Sequence, residues 1–296
     1  HINKKKYDEC LSKATNAILY AWSWYLDIVA HGCDLMAYHN YSLVIPLPHR
    51  KRFCLSYMFT PHYVQQLGIF GQGIDESTVQ TFLNYIRPKF KLIDLKLNEN
   101  NNPGELPGLI KKTNYLLDIS GKYETISKSY HRNCKRNIKK ARNAGLSAGK
   151  TINAQEFSEF VRDNLQDQIS GFTASDVTLL AKITDECIRK QKGEIASVYD
   201  SEGRLCAAGS FLYSGDRLIF SVCASTPTGH SEQAMYYLVD QQIEKYSGNF
   251  AVFDFSGSDI KGIAYFNASF GAQHYSYPFI RINRLPRVLK LLVGKF

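Results

Sequence analysis

The chain has 296 residues, a formal net charge of +9 and 44% hydrophobic residues. This length can form one large globular domain or two of ordinary size, and the composition excludes a low-complexity chain. The longest apolar run, which begins at Ile18, is too short to cross a bilayer and contains Asp27. We therefore expect neither a membrane span nor a signal peptide.

Cysteine and histidine usage narrows the expected compartment and cofactors. The seven cysteines are odd in number and far apart, which is unlike a disulfide framework and predicts a reducing, cytoplasmic location. The eight histidines lack the spacing of metal ligands, and no pair of CxxC elements occurs. The sequence thus predicts no bound metal and no tightly bound cofactor.

Residues 1–121 are predicted to form an N-terminal α/β domain. An aromatic, apolar segment at 7–30 precedes the first strand, and Asp75 or Ser77 is placed to cap a helix at 78–86. The predicted strands lie at 34–38, 41–48, 53–59, 63–70, 91–98 and 114–120.

Residues 122–145 are predicted to form a long basic helix that joins this domain to the next. The stretch 122–150 carries +8 of the net charge of +9, and Gly145 suits the end of the helix. The expected buried stripe consists of Ile126, Tyr130, Cys134, Ile138 and Ala141. The expected cationic stripe consists of Lys128, Arg132, Lys135, Arg136, Lys139, Lys140 and Arg142.

The cationic stripe has two interpretations. Neighbouring cations repel one another, so a dense and nearly unopposed stripe favours an anionic partner such as RNA or a nucleotide cofactor. In the alternative interpretation the stripe is a solvated helix face that serves only solubility.

Residues 146–296 are predicted to form a C-terminal domain whose antiparallel strands and helices resemble the order in the first domain, which suggests a structural duplication. Its strands lie at 146–153, 194–200, 204–215, 216–225 and on both sides of a short helix before Gly271, and its other helices lie at 154–169, at 173–191 and up to Tyr246. The basic, apolar tail at 283–296 is expected to be a short docked helix, with a membrane-surface segment as the alternative.

Three strings carry a resemblance to a known superfamily. They are NYLLDIS with the basic helix that follows it, EIASVYDSEGRLCAAGSFLYSGDRLIFSVCAS, and the segment from FDFSGS to FGA. The C-terminal domain resembles the GNAT acyltransferases, and the whole chain resembles the bacterial Fem-type peptidyltransferases and their FemAB-like relatives. The resemblance implies an α/β (α+β) protein with two GNAT-like domains, each with a mixed, largely antiparallel sheet flanked by helices. It also implies transfer of an acyl or aminoacyl group to an amine.

The expected donor site lies at the strand-to-helix turn after Ser225. Glycine permits close backbone approach, and the free N–H groups of a helix start suit a pyrophosphate. The GNAT pattern for coenzyme A aligns here with Thr226, Gly229 and Ser231, and only the glycine matches. The candidate donor-binding residues, including a strand expected to splay from its neighbour, are Val222, Ala224, Ser225, Gly229, His230 and Ser231. In the alternative interpretation this turn is an ordinary helix cap.

Two residues are candidates for acid–base chemistry. Asp254 alternates with Phe253 and Phe255 in a short strand, so it faces away from both rings and is a candidate base or amine-orienting group. Its alternative role is to cap the turn at Gly257. In GNAT proteins a tyrosine general acid is common four residues before the final glycine, where this chain has Asn267. The nearby Tyr265 is the candidate acid, and the alternative is that this protein dispenses with that acid.

The sequence therefore predicts an N-acyltransferase that uses acyl-coenzyme A or aminoacyl-tRNA as donor. The expected acceptor is a primary amine, for example of a bacterial cell-envelope precursor. The alternative is a non-catalytic GNAT-like scaffold that binds RNA or another anionic ligand through its basic helix.

Overall fold

The computed structural model describes residues 2–52, 55–149, 152–165, 172–257 and 259–285. The helices are α1 (Lys4–Lys13), α2 (Ser23–Val29), α3 (Glu76–Ile86), α4 (Tyr123–Ile126), α5 (Arg132–Asn143), α6 (Ala154–Leu165), α7 (Ala174–Arg189), α8 (Pro227–Ser231), α9 (Ala234–Tyr246) and α10 (Lys261–Ser269). The strands are β1 (Asp34–Tyr38), β2 (Leu43–Leu47), β3 (His49–Arg52), β4 (Leu55–Phe59), β5 (Phe70–Gly71), β6 (Leu92–Lys96), β7 (Leu109–Asp118), β8 (Ser147–Ala148), β9 (Gly193–Tyr199), β10 (Leu205–Ser214), β11 (Arg217–Ser225), β12 (Val252–Asp254) and β13 (Gln273–Asn283).

The mixed α/β architecture confirms the predicted fold class. Parts of several predicted elements lie outside the described residues, namely 53–54, 150–151, 166–169, Ser258 and the tail from 286 onward. No helix in the described ranges is long and apolar enough to cross a membrane.

The chain forms two compact units whose boundaries differ from the predicted domains. One unit contains the described residues up to Lys112 and those from Ser276 onward, and the other is Thr113–Tyr275. The divisions fall inside β7 and β13, so strand continuity rather than a linker carries the chain from one unit to the other. The predicted connecting segment 122–145 belongs to the second unit instead of joining the two.

The first unit contains two small sheets. In one sheet β1, β2 and β5 are antiparallel. In the other sheet β3 and β4 are antiparallel, β4 and β6 are parallel, and β13 is antiparallel to β6. Helix α3 provides the crossover between the parallel strands, and Asp75 caps it by accepting a hydrogen bond from the Thr78 N–H at 2.8 Å.

The sheet of the second unit has the order β7-β12-β11-β10-β9-β8. Only β11 and β12 are parallel, and α8 and α9 connect them. The two units therefore share one arrangement: a hairpin strand, a helical crossover, a parallel strand and an antiparallel closing strand. This shared topology supports the suspected duplication.

The predicted basic helix is two helices rather than one. Residues 127–129 form a short 3-10 turn after α4, and His131 is extended before α5 begins. The His131 N–H donates to the Ser269 carbonyl at 2.8 Å, so a contact with α10 replaces the helical hydrogen bond that continuity would need. The predicted apolar stripe is nevertheless buried, because all five of its residues belong to the hydrophobic core cluster of this unit.

Candidate functional site

The parallel strands β11 and β12 separate after three residue pairs. Arg217, Leu218 and Ile219 pair with Val252, Phe253 and Asp254, where β12 ends, while β11 continues to Ser225. Among the described residues no strand pairs with this side of β11 beyond Ile219. We call residues 220–225 on that side the open edge.

A hydroxyl group determines which backbone groups point to the open edge. Strand β11 bulges opposite Ser210, which faces the two consecutive residues Ser221 and Val222. The Oγ of Ser210 accepts a hydrogen bond from the Val222 N–H and donates to the Val222 carbonyl, at 3.2 and 3.3 Å. Backbone groups alternate in direction along a strand, so Val222 and Ala224 face β10, and Cys223 and Ser225 face the open edge. Ser221 also faces β10, because the bulge interrupts the alternation between Ser221 and Val222.

The structure thus retains one of the three predicted strand residues at the open edge and adds one, Cys223. Ser225 faces the opening, whereas the backbone groups of Val222 and Ala224 are directed to β10. Cys223 was missed because the sequence reveals neither the bulge nor the side of β11 on which its antiparallel neighbour lies. Burial raises the pKa of Cys223 to about 12, so its thiol stays protonated at neutral pH.

Two serine hydroxyls near the diverging strands, those of Ser225 and Ser256, are buried and have no hydrogen-bond partner in the part of the chain that the structure describes. Ser256 also has a left-handed backbone, with φ +56°, directly before Gly257 at φ +72°. A non-glycine residue with positive φ is costly and is found preferentially at functional turns. Beyond its place in the small-residue loop, nothing in the sequence pointed to Ser256.

The first unit closes the corresponding gap. Its parallel strands β4 and β6 also pair at three positions, from Tyr57 with Leu92 to Phe59 with Asp94. Beyond them, Leu67 forms a parallel bridge with Leu97, and its N–H donates to the Lys96 carbonyl at 2.9 Å. Because these contacts occupy the space between the strands, the open edge of the second unit is the stronger candidate site.

The turn after β11 differs from the predicted phosphate cradle. It forms the short helix α8, which Thr226 caps by accepting a hydrogen bond from the Gly229 N–H at 3.0 Å. A side chain at Gly229 would collide with the Cys206 carbonyl, so the glycine is required for packing of α8 against β10. This corrects the predicted reason for Gly229, and its N–H already has a partner.

The other two residues of that turn remain on the surface. His230 and Ser231 are exposed, and the Ser231 hydroxyl donates to the Thr228 carbonyl at 2.8 Å. Gln233, with φ +65°, separates α8 from α9, so the long helix begins at Ala234 and not at the glycine turn. Coenzyme A binding at this turn stays a prediction.

Asp254 is fully buried at the end of β12. Its Oδ1 accepts hydrogen bonds from Asn114 Nδ2 and the Ser256 N–H, both at 2.8 Å, and its Oδ2 forms an ion pair with Arg217 Nη1 at 3.0 Å. Phe253 and Phe255 lie in the core cluster, which agrees with the predicted alternation. The Ser256 bond is the turn-capping contact of the alternative role.

This geometry makes Asp254 a support for the turn rather than an accessible proton acceptor. Both carboxylate oxygens are occupied, and Arg217 balances the charge. The cluster extends to Tyr275, whose hydroxyl oxygen accepts a hydrogen bond from Asn114 Nδ2 at 2.7 Å. A base role for Asp254 stays a prediction, and it would require the carboxylate to give up one of these partners.

The candidate acid Tyr265 lies on α10 with 62% of its surface exposed. Asn267, at the position where the resemblance places a tyrosine, is 2% exposed. Its side-chain Nδ2 has no hydrogen-bond partner among the described residues. An amide can donate a hydrogen bond but cannot act as a general acid, so Tyr265 remains the candidate for that role.

The cationic stripe is smaller than predicted. Arg142 Nη2 pairs with the buried Asp240 at 2.9 Å, and Tyr123 donates to the same carboxylate at 2.7 Å. Lys128 lies in the 3-10 turn, and its carbonyl accepts a hydrogen bond from Lys135 Nζ at 2.8 Å. Four exposed cations of α5 take part in no side-chain hydrogen bond or ion pair among the described residues, namely Arg132, Arg136, Lys139 and Lys140.

With this geometry in view, the chain can be compared with known proteins. It matches no protein-family model and no curated protein sequence. Among solved structures it superposes on FemX with a TM-score of 0.69 and 12% identity, covering 100% of this chain and 99% of that one. The chain has the fold of FemX.

Two other solved structures share this architecture. One is the C-terminal domain of a protein named as a lysylphosphatidylglycerol synthetase from Agrobacterium fabrum, with a TM-score of 0.60, 10% identity and coverage of 98% and 94%. The other is a GNAT-family acetyltransferase from Colwellia psychrerythraea, with a TM-score of 0.56, 9% identity and coverage of 95% and 98%. These matches confirm the FemAB-like, GNAT-type fold that the sequence predicted.

Proposed function

We propose that this protein transfers an acyl or aminoacyl group from an activated donor to a primary amine. The observation that carries the proposal is the open edge of β11, where the backbone groups of Cys223 and Ser225 have no strand partner among the described residues. Unpaired backbone donors in a partly buried strand are suited to bind an extended donor and its carbonyl oxygen.

The reaction needs little from the protein besides positioning. The amine nitrogen attacks the donor carbonyl carbon, the bond to the thiol or alcohol leaving group breaks, and the proton lost by the amine is balanced by one gained by the leaving group. Backbone N–H groups at the open edge would stabilise the oxyanion of the tetrahedral intermediate. Within this proposal Asp254 holds the Ser256 turn, and Tyr265 is the candidate donor of the proton.

Two donor classes fit the proposal. Both acyl-coenzyme A and aminoacyl-tRNA carry phosphates, which suits the net charge of +9. The superposable proteins include one named as a GNAT-family acetyltransferase and one named as a lysylphosphatidylglycerol synthetase, so the fold alone does not choose between an acyl and an aminoacyl group. The acceptor is proposed only as a primary amine.

Calorimetric titration with acetyl-coenzyme A at low salt tests the donor first. Saturable binding that a proline substitution at Cys223 abolishes would support a coenzyme A-dependent acyltransferase at the open edge. Without binding, titration with charged and uncharged tRNA follows, and preference for the charged form would support an aminoacyl donor. If neither donor binds, the proposed transfer is wrong and the chain is a non-catalytic scaffold.

A further inference from the structure

A second candidate site lies in the first unit, where the end of α3 faces the loop 103–107. The two walls enclose a pocket of about 240 Å³. Helix α3 contributes Leu83 and, just after its last turn, Arg87, and the loop contributes Glu105 and Leu106. All the lining residues belong to the first unit, so the pocket is independent of the open edge on β11.

Arg87 is the informative residue of this pocket. Its Nε is buried and has no hydrogen-bond partner, and its guanidinium takes part in no ion pair among the described residues. An unpaired donor on a charged, partly buried group is costly, so proteins rarely leave one without a ligand or water to satisfy it. The neighbouring N–H groups of a guanidinium form a planar fork that matches the two oxygens of a carboxylate.

The remaining lining residues indicate that the ligand also has an apolar part. Pro103 and Pro107 in the loop have no backbone N–H that could donate a hydrogen bond, and Leu83 of α3 and Leu106 of the loop add apolar surface. A ligand that fits here thus has an apolar body as well as an anionic end. The volume is slightly below the roughly 300–1,000 Å³ of drug-sized sites, which favours a small molecule.

The charge balance of the pocket favours a single negative charge. Glu105 also lines the pocket and does not lie within ion-pair distance of Arg87. One arginine can neutralise a monoanion, whereas the second charge of a phosphate monoester would face Glu105 without compensation. A carboxylate is therefore favoured over a phosphate.

We propose that this pocket binds a small organic monocarboxylate with an apolar body, held by the Arg87 fork. Asn84 lines the same wall and supplies an amide group for a further polar contact. The proposal concerns binding only and does not depend on the acyl-transfer function.

The test compares 4-methylpentanoate with the isosteric neutral 4-methylpentanamide on the full-length protein. The readout is the NMR signal of the Arg87 Nε–H, assigned by its loss in Arg87→Lys, together with the backbone amides of Leu83 and Leu106. We expect saturable shifts with the carboxylate and none with the amide. Equal shifts with both compounds, or with neither, would overturn the proposal.

Variants with opposite expected effects sharpen the test. Arg87→Met should weaken carboxylate binding by roughly tenfold to a hundredfold, the loss expected for a charge-assisted hydrogen-bond pair. Glu105→Gln should strengthen it because a competing negative charge is removed. Lys89→Met is the matched control, since exposed Lys89 lies two residues away, contacts the Tyr85 ring and does not line the pocket.

The experiment remains decisive if Arg87→Met fails to fold. In that case the comparison of carboxylate and amide on the wild-type protein still supports or overturns the proposal. Binding that Lys89→Met weakens as much as Arg87→Lys does would indicate a general charge effect and would also overturn it.

Discussion

Val222 is bonded through both of its backbone groups to a single side-chain oxygen, the Oγ of Ser210. The two contacts measure 3.2 Å at the N–H and 3.3 Å at the carbonyl. The bulge of β11 opposite Ser210 thus replaces a backbone pair by a hydroxyl and fixes the direction of every backbone group that follows in β11. The open edge depends on this relationship.

Two proline substitutions on adjacent residues test the assignment of the open edge. Cys223→Pro removes an N–H that faces the opening, and edge positions of this kind tolerate proline, so we expect a folded protein with impaired donor binding. Val222→Pro removes the N–H bonded to Ser210 and should lower the free energy of unfolding by about 1–3 kcal/mol. Urea denaturation and donor titration of both variants distinguish the two positions. A reversal of these effects would mean that the backbone directions are assigned to the wrong residues.

Local patterns predicted most elements of the fold, and long-range contacts account for most of the differences. The capped helices and the second-unit strands follow from apolar periodicity and turn residues, which are local properties. The break before α5 was not predictable, because its cause is a hydrogen bond from His131 to Ser269 in a distant helix. The same holds for the site, where Arg217 and Asn114 reach Asp254 from strands far apart in the sequence.

Alanine substitutions at Gly229 and at Gly262 test whether Gly229 is required for the packing of α8, with Gly262 in α10 as the control. A side chain at Gly229 would collide with the Cys206 carbonyl, so Gly229→Ala should destabilise the protein by about 1–3 kcal/mol as α8 shifts away from β10. Gly262 lies in α10 with no atom near the position of a side chain, so Gly262→Ala should stabilise by about 0.5–1 kcal/mol. Thermal and urea denaturation measure both. If Gly229→Ala is as stable as the wild type, the packing role of this glycine is refuted.

Asp240 should give the protein an unusual pH dependence. Burial raises the pKa of this carboxyl and outweighs the lowering effects of the Tyr123 hydrogen bond and the Arg142 charge. The folded state therefore holds this proton more tightly than the unfolded chain does. The contribution of Asp240 to stability is fully present below the ordinary value of 3.8 and is lost as the pH rises through the folded-state pKa.

The corresponding experiment measures Asp240→Asn against the wild type across this pH range. The variant should gain stability relative to the wild type as the pH rises from acid towards neutral. Asp118 is the control of opposite sign, because its hydrogen bonds to Ser120 lower the pKa of its carboxyl. Asp118→Asn should lose relative stability as the pH rises. The same trend in both variants would rule out the assignment.

The cations of α5 predict salt-dependent binding of RNA. Reversing the charge of Arg132, Arg136 and Lys139 should weaken tRNA binding and reduce the slope of log K against log salt by about 0.7–0.9 per lost phosphate contact. The control reverses three exposed lysines elsewhere, Lys5, Lys13 and Lys182, and so changes the net charge equally. Equal loss in both variants would show a general charge effect, and no loss would show that α5 is only a solvated face.

Variants of the Asp254–Arg217 ion pair can distinguish a catalytic role of Asp254 from a structural one. Breaking a buried ion pair from one side costs about 3–5 kcal/mol, and the cost should be greater for Arg217→Met than for Asp254→Asn. The reason is that Asp254 is fully buried whereas the Arg217 side chain is 20% exposed. In the double variant no charge is left unbalanced, so part of the lost stability should return.

The turnover of the double variant then decides the role of Asp254. If Asp254 holds the Ser256 turn, turnover should follow stability and recover in part, because an asparagine oxygen can still accept the Ser256 N–H. If Asp254 is the base, the double variant should stay inactive despite its recovered stability, since an amide cannot take a proton from the amine. Single-turnover rates with whichever donor binds, measured beside urea denaturation, separate these outcomes. We expect partial recovery, because the structure leaves neither carboxylate oxygen of Asp254 without a partner.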